Sequence, residues 1–253
     1  MNSKHSPWFM RPMPRDRATL RLFLFPHAGA GSVIFRDWHA DFPASIDVCA
    51  VEPPGRLARR SERPFGDVVE FARAFDQALE PLLDLPFAFF GYSLGALKAF
   101  ECARLLRSRR KLHPSHLIVA AHKAPHLPRR LAPISREPKP ALVRELERRY
   151  GPLEPIIKAD PEMLDAVLDI MRNDLGMVEN YRFSLEAPFD CPILAIGGTE
   201  DVSLQQEEIE GWREHTTAEF RSESLPGGHF FLRNRGAELR ALVRDQLIRA
   251  RPA

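Results

Sequence analysis

Apolar residues along this chain fall into two patterns that take turns. Short continuous runs occur at 20–25, 46–51, 86–90, 117–121 and 192–198, with a more mixed one at 220–225. Runs of this length, bounded by proline or glycine, predict buried strands. Between them come stripes at helical spacing. Val68, Phe71, Ala72, Phe75, Ala78, Leu79 and Leu82 predict a helix over 67–84, with Pro81 near its end, where the lost hydrogen bond costs least. Further helices are predicted at 96–106, around Trp212 and from Ala237, and a short one through Phe35 and Trp38. The segment 52–65, with two adjacent prolines and four arginines, predicts a loop.

The alternation breaks once. Residues 125–140 contain five prolines and predict a loop. Two helices then follow with no strand between them, at 141–150 and 161–183. Met163, Leu164, Val167, Leu168, Met171, Leu175 and Val178 form the apolar stripe of the second. Alternating strands and helices imply an α/β fold, with a mostly parallel sheet covered on both faces. The expectation is a single domain over 1–253 with a helical insertion at 128–186, read as a lid over one end of the sheet.

Composition narrows the class. A hydrophobic share of 44% and a charged share of 28% suit a globular chain with a sizeable core, and a net charge of +2 does not point to nucleic acid. The first twenty residues lack the apolar run of a signal peptide, and no stretch is long enough to cross a bilayer. Cys49, Cys102 and Cys191 are odd in number, far apart and set in apolar surroundings, as reduced core cysteines are. A cytoplasmic protein with neither a nucleic-acid nor a membrane partner is expected.

The chemistry begins at Gly91-Tyr92-Ser93-Leu94-Gly95, which stands between a predicted strand and a predicted helix. A G-x-S-x-G in that setting is a nucleophile elbow, the tight turn that holds a serine hydroxyl out at the carboxyl end of a sheet. Serine needs a base. His229, on the glycine-flanked loop after the run at 220–225, is the last histidine in the chain and the candidate. Asp201, just after the run at 192–198, is the candidate acid that would fix the histidine tautomer, with neighbouring Glu200 as its rival. Ser, Asp, His is the chain order of the α/β-hydrolase fold. Asp174 and Asp190 read as a helix-face charge and a loop residue.

Acyl transfer also needs donors for an oxyanion. The Leu94 amide, at the helix start, is one. Ala28 is the choice for the second, in the small-residue loop His27-Ala28-Gly29-Ala30-Gly31 after the first strand. That loop is not G-x-G-x-x-G and lacks the Walker lysine, which argues against a nucleotide site. His113, His116, His122 and His126 match no zinc spacing, so no metal is expected. Two basic clusters, at Arg104, Arg107, Arg109, Arg110 and Lys111 and at Arg56, Arg59, Arg60 and Arg63, leave two readings open: a solvated face, or a docking surface for an acidic protein.

Seven segments in order and spacing resemble the type II thioesterases, the free-standing editing enzymes of nonribosomal peptide and polyketide assembly lines. They are residues 24–31, Pro54-Gly55-Arg56, 91–96, Ala124-Pro125-His126-Leu127, 197–201, Trp212-Arg213 and 227–232, so the resemblance spans residues 20–245. The chain departs from the family at Tyr92 and Leu94, where histidine or methionine is commoner, and in the arginine-rich loop after Gly55. The resemblance implies an α/β-hydrolase fold and hydrolysis of acyl groups carried as thioesters on the phosphopantetheine arm of a carrier protein. It implies acyl or peptidyl carrier protein domains as partners, small acyl thioesters as substrates, no cofactor, and a monomer. His27, Tyr92 and Met171 are read as substrate-binding. Met163, Met171 and Met177 leave two readings open: a wall adaptable to varied acyl groups, or ordinary helix packing, which is favoured for each taken singly. The rival readings are a small-molecule esterase or acyltransferase of the same fold, and a non-catalytic module that docks on a synthase.

Overall fold

The computed structural model describes residues 6–249. Strands β1 (Phe9–Met10), β2 (Leu20–Phe25), β3 (Ile46–Val51), β4 (Phe87–Tyr92), β5 (Leu117–Ala120), β6 (Ile193–Gly198) and β7 (Phe220–Leu225) form one sheet in the order β1-β3-β2-β4-β5-β6-β7. All neighbours are parallel except β1, which pairs antiparallel with β3. Helices α1 (Val68–Leu79) and α2 (Leu94–Arg110) precede the inserted α3 (Lys139–Tyr150), α4 (Pro155–Ala159) and α5 (Pro161–Asn180). The chain closes with α6 (Gln206–Glu210), α7 (Phe231–Asn234) and α8 (Gly236–Ile248).

Side chains alternate across the sheet, so β2 sends Phe23 and Phe25 to one face and Leu22 and Leu24 to the other. The first pair joins a core with α1, α2 and Trp212, and the second packs with Phe35, Trp38 and α8. A third, smaller core lies within the insertion, where Leu142 and Leu146 of α3 meet Leu168 and Leu175 of α5. The predicted strands thus stand where the apolar runs are. β1 and α4 were not foreseen, and the helix predicted through Phe35 and Trp38 is two 3-10 turns, Ser32–Phe35 and Trp38–Asp41. Residue 81 falls in a 3-10 turn beyond the end of α1, and α1 is capped by Asp67, whose carboxylate accepts the Val69 and Glu70 amides. Among the described residues no helix is long and apolar enough to cross a membrane.

Strand order reverses between β2 and β4, because β3 lies to one side of β2 and β4 to the other. Crevices at such a switch point, beyond the carboxyl ends of the strands, are where α/β sheets bind ligands. Register places Phe25 beside Gly91, so the loop leaving β2 and the turn leaving β4 face each other across that crevice. The glycines at 91 and 95 follow from this closeness. A Cβ on Gly91 would collide with the backbone of Gly95, and one on Gly95 with the carbonyl of Phe25.

Candidate active site

Ser93 sits between β4 and α2 at φ 54° and ψ −120°, a strained conformation for a residue with a side chain. The strain lifts its hydroxyl off the sheet. Ser93 Oγ lies 3.0 Å from His229 Nε2, and His229 Nδ1 lies 2.8 Å from Asp201 Oδ2. An ionised carboxylate only accepts, so Nδ1 carries the proton and Nε2 is left to accept from Ser93. Burial would raise the Asp201 pKa, but hydrogen bonds from His229 and from Ser203 reverse this, and the carboxyl titrates below its ordinary range. Ser203 donates to Asp201 Oδ1 through its amide at 2.9 Å and its hydroxyl at 2.5 Å. This Asp-x-Ser spacing is that of an Asx turn, the signal that could have revealed Ser203 in the sequence. Glu200 contributes no side chain to this chain of bonds; its amide donates to Gly227 and helps close the histidine loop.

Ser93 and His229 line a cavity, while the Asp201 side chain is fully buried and does not reach it. Ala28 and Leu94 also line it. Leu94 occupies the first turn of α2, where amides have no acceptor within the helix and the dipole favours negative charge. His27 lines the cavity with its Nδ1 2.8 Å from the Ala28 carbonyl and its ring against Phe230; burial lowers its pKa to about 4, so it is neutral near pH 7. The far wall comes from the insertion: Leu131, Tyr150, Met171, Leu175 and Val178. Tyr150, which the sequence did not single out, packs its ring 4.7 Å from the His229 ring.

These positions correct two sequence-based expectations and divide the methionines between their two readings. Tyr92 does not line the cavity. Its ring is buried behind it, and its hydroxyl donates to the His229 carbonyl at 2.6 Å and accepts the Leu232 amide at 3.3 Å. Of the three methionines, Met171 alone lines the cavity among the described residues; Met177 belongs to the main core and Met163 is 40% exposed. Asp174 is not a solvated helix-face charge but is 1% exposed and paired with Arg56.

The arginine clusters are mixed: Arg56, Arg59 and Arg104 are buried, Arg107 and Arg110 are half-buried, and Arg60, Arg63 and Arg109 are exposed. Arg104 pairs with Glu101 and Glu186, Arg107 with Glu186, and Arg109 and Arg110 with Asp76. Arg59 is buried against Glu62 and the Trp8 ring. These contacts tie helices and loops together. The histidines of 113–126 are likewise dispersed: His113 meets Asp190, His126 meets His215, and His122 lines the cavity, kept neutral by burial that lowers its pKa to about 3.

The placement of Tyr92 predicts how it contributes. Tyr92→Phe leaves the His229 carbonyl and the Leu232 amide without a buried partner, at a cost of about 1–3 kcal/mol in chemical denaturation. Because the histidine loop then loosens, kcat is expected to fall about tenfold. KM should stay constant, since the hydroxyl lies outside the cavity; a rise in KM alone would restore Tyr92 to the substrate-binding set.

A family model described as thioesterase domain matches residues 20–247. The chain belongs to that family. The Gramicidin S biosynthesis protein GrsT of Aneurinibacillus migulanus is 36% identical over 230 residues, covering 91% of this chain and 90% of that protein. Among solved structures, the RedJ thioesterase from the prodiginine pathway of Streptomyces coelicolor is 34% identical with a TM-score of 0.86, each chain being 96% covered. The type II thioesterase BorB from the borrelidin cluster is 30% identical with a TM-score of 0.87, covering 97% of this chain and all of that one. The thioesterase is therefore an α/β hydrolase of the type II class, and its activity is thioester hydrolysis.

Proposed function

We propose that this thioesterase removes misprimed or stalled acyl groups from the phosphopantetheine arm of carrier proteins, using Ser93, His229 and Asp201. The observation that carries the reading is the unbroken line of hydrogen bonds from Ser93 Oγ through His229 to Asp201, opening on the cavity. Its partners are carrier protein domains of a synthase, and the enzyme acts as a cytoplasmic monomer without a cofactor. The insertion at 128–186 serves as a lid, since its residues form the far wall of the cavity.

Each step uses atoms already in place. Ser93 passes its proton to His229 Nε2 as Oγ attacks the thioester carbonyl. The carbonyl oxygen becomes an oxyanion facing the amides of Ala28 and Leu94, donors already oriented when charge develops. Asp201 stabilises the imidazolium. Collapse breaks the C–S bond, and Nε2 returns the proton to the departing thiolate, freeing the carrier thiol. Water, deprotonated by the same Nε2, then attacks the acyl-serine, and Oγ leaves with the proton. The products are a carboxylic acid and a regenerated thiol.

Intact-mass tracking of an acylated carrier protein, run beside an acyl-N-acetylcysteamine thioester and a matched p-nitrophenyl ester, tests this reading. Loss of the acyl mass from the carrier with kcat/KM above that for the oxygen ester is expected. A preference for the oxygen ester would overturn the carrier assignment in favour of a small-molecule esterase. Transfer of the acyl group to an added alcohol or amine in preference to water would indicate an acyltransferase.

A further inference from the structure

Behind the loop that follows β2 lies a buried charge cluster that the steps above do not use. Asp174, on α5, accepts the Gly29 amide at 2.8 Å and the Arg56 guanidinium on the same oxygen, Oδ2. Lys98, buried on α2 one turn past the elbow, adds a second positive charge to its field. Placing a carboxylate and two cations in a core is expensive, and apolar side chains of similar volume commonly pack as well or better. Stability alone therefore gives no reason for this arrangement.

Its geometry supplies one. Met171 and Asp174 are three residues apart on one face of α5, and both touch Gly29. Gly29 adopts φ +79°, and a Cβ there would lie 2.7 Å from Met171 Sδ, so the loop passes close against the helix. The Ala28 carbonyl is engaged by His27, and farther along, Glu52 accepts the Ser32 amide and hydroxyl. The Ala28 amide is thus carried on a loop pinned on both sides. The pin next to it comes from a helix that also walls the cavity.

We propose that Asp174 is a positioning residue that sets the Ala28 amide for the oxyanion. The oxyanion hole is then complete only while α5 is seated against Gly29. The proposal rests on the reading of Ala28 as an oxyanion donor. It makes α5 part of the catalytic geometry as well as a wall of the cavity, and assigns the Arg56 and Lys98 charges the task of holding Asp174 ionised and in place.

Two variants test it together. Asp174→Asn retains the shape but loses the charge. The triple variant Asp174→Leu, Arg56→Met, Lys98→Met removes the whole cluster and leaves no unpaired buried ion. The triple variant is expected to melt no lower than the parent enzyme, yet to lose about 10²-fold in kcat, the scale of one oxyanion donor, with KM within threefold. Affinity for a trifluoromethyl ketone analogue, whose hemiketal oxygen occupies the oxyanion position, should fall by the same factor. Asp174→Asn should lose less on both readouts. Wild-type kcat and ketone affinity in the folded triple variant would overturn the proposal, as would a rise in KM equal to the loss in kcat. Replacing the 27–28 amide by an ester, with lactate in place of Ala28, separates the two readings. If the ester enzyme loses ketone affinity and the triple variant does not, Asp174 is structural and the oxyanion assignment stands. If the ester enzyme is unimpaired, Ala28 is not the donor and the proposal falls with it.

Discussion

Ser93→Ala is expected to lower kcat about 10⁶-fold, the scale seen when a triad nucleophile is removed, and to abolish labelling by a fluorophosphonate probe. The fold should not notice. The serine side chain does not cap α2, and its hydroxyl bonds the His229 ring at the wall of a cavity where water can take its place. Alanine keeps the Cβ, so the strained backbone at φ 54° is neither relieved nor worsened. Melting temperature is therefore expected to be unchanged while turnover vanishes. Residual activity above one tenth of wild type would mean that another nucleophile carries the reaction. A module that only docks on a synthase would show no dependence on Ser93 at all.

Asp201→Asn should be nearly as severe, at about 10⁴-fold in kcat, because an amide in place of the carboxylate lets His229 adopt the wrong tautomer. Nδ1 would then accept from the Asn amide and Nε2 would carry the proton, leaving nothing to accept from Ser93. Glu200→Gln serves as the control. Its backbone amide, not its side chain, closes the turn to Gly227, so kcat should stay within threefold. Equal losses in the two variants, measured on one thioester at one pH, would remove the case for Asp201. The loss should persist across the pH range in which the wild-type carboxyl is ionised. Its titration lies below the ordinary carboxylate range, so acidification reaches it only well under neutrality.

The elements that were legible in the sequence share one property: their signal is local. Six of the seven strands announced themselves as apolar runs, and the elbow as five consecutive residues. Asp201 and His229 could be named because each follows a strand directly, in a known chain order. What was missed depends on distant partners or on short length. The two residues of β1 carry no periodicity, and their pairing with Ala50 and Val51 is decided by tertiary packing. Tyr92, expected to bind substrate, is the last residue of β4, and its side chain packs with Phe231 in the core behind the cavity. Asp174 is the instructive miss. It follows Val167 by seven residues and Met171 by three, which puts a carboxylate on the apolar stripe of its own helix. That placement calls for a buried partner, yet the partner, Arg56, is 118 positions away and invisible to any window.

The spread of the proposed triad over the ends of three different strands has a consequence for the newly made chain. Ser93 follows β4, Asp201 follows β6 and His229 follows β7, the last strand of the sheet. Domains fold largely as units during synthesis. A chain released only as far as residue 200 carries Ser93 but neither Asp201, His229 nor the last strand of the sheet. On the proposed mechanism such a chain is inert toward thioesters. Activity is expected only once β7 has paired with β6 and the histidine loop has brought His229 to Ser93.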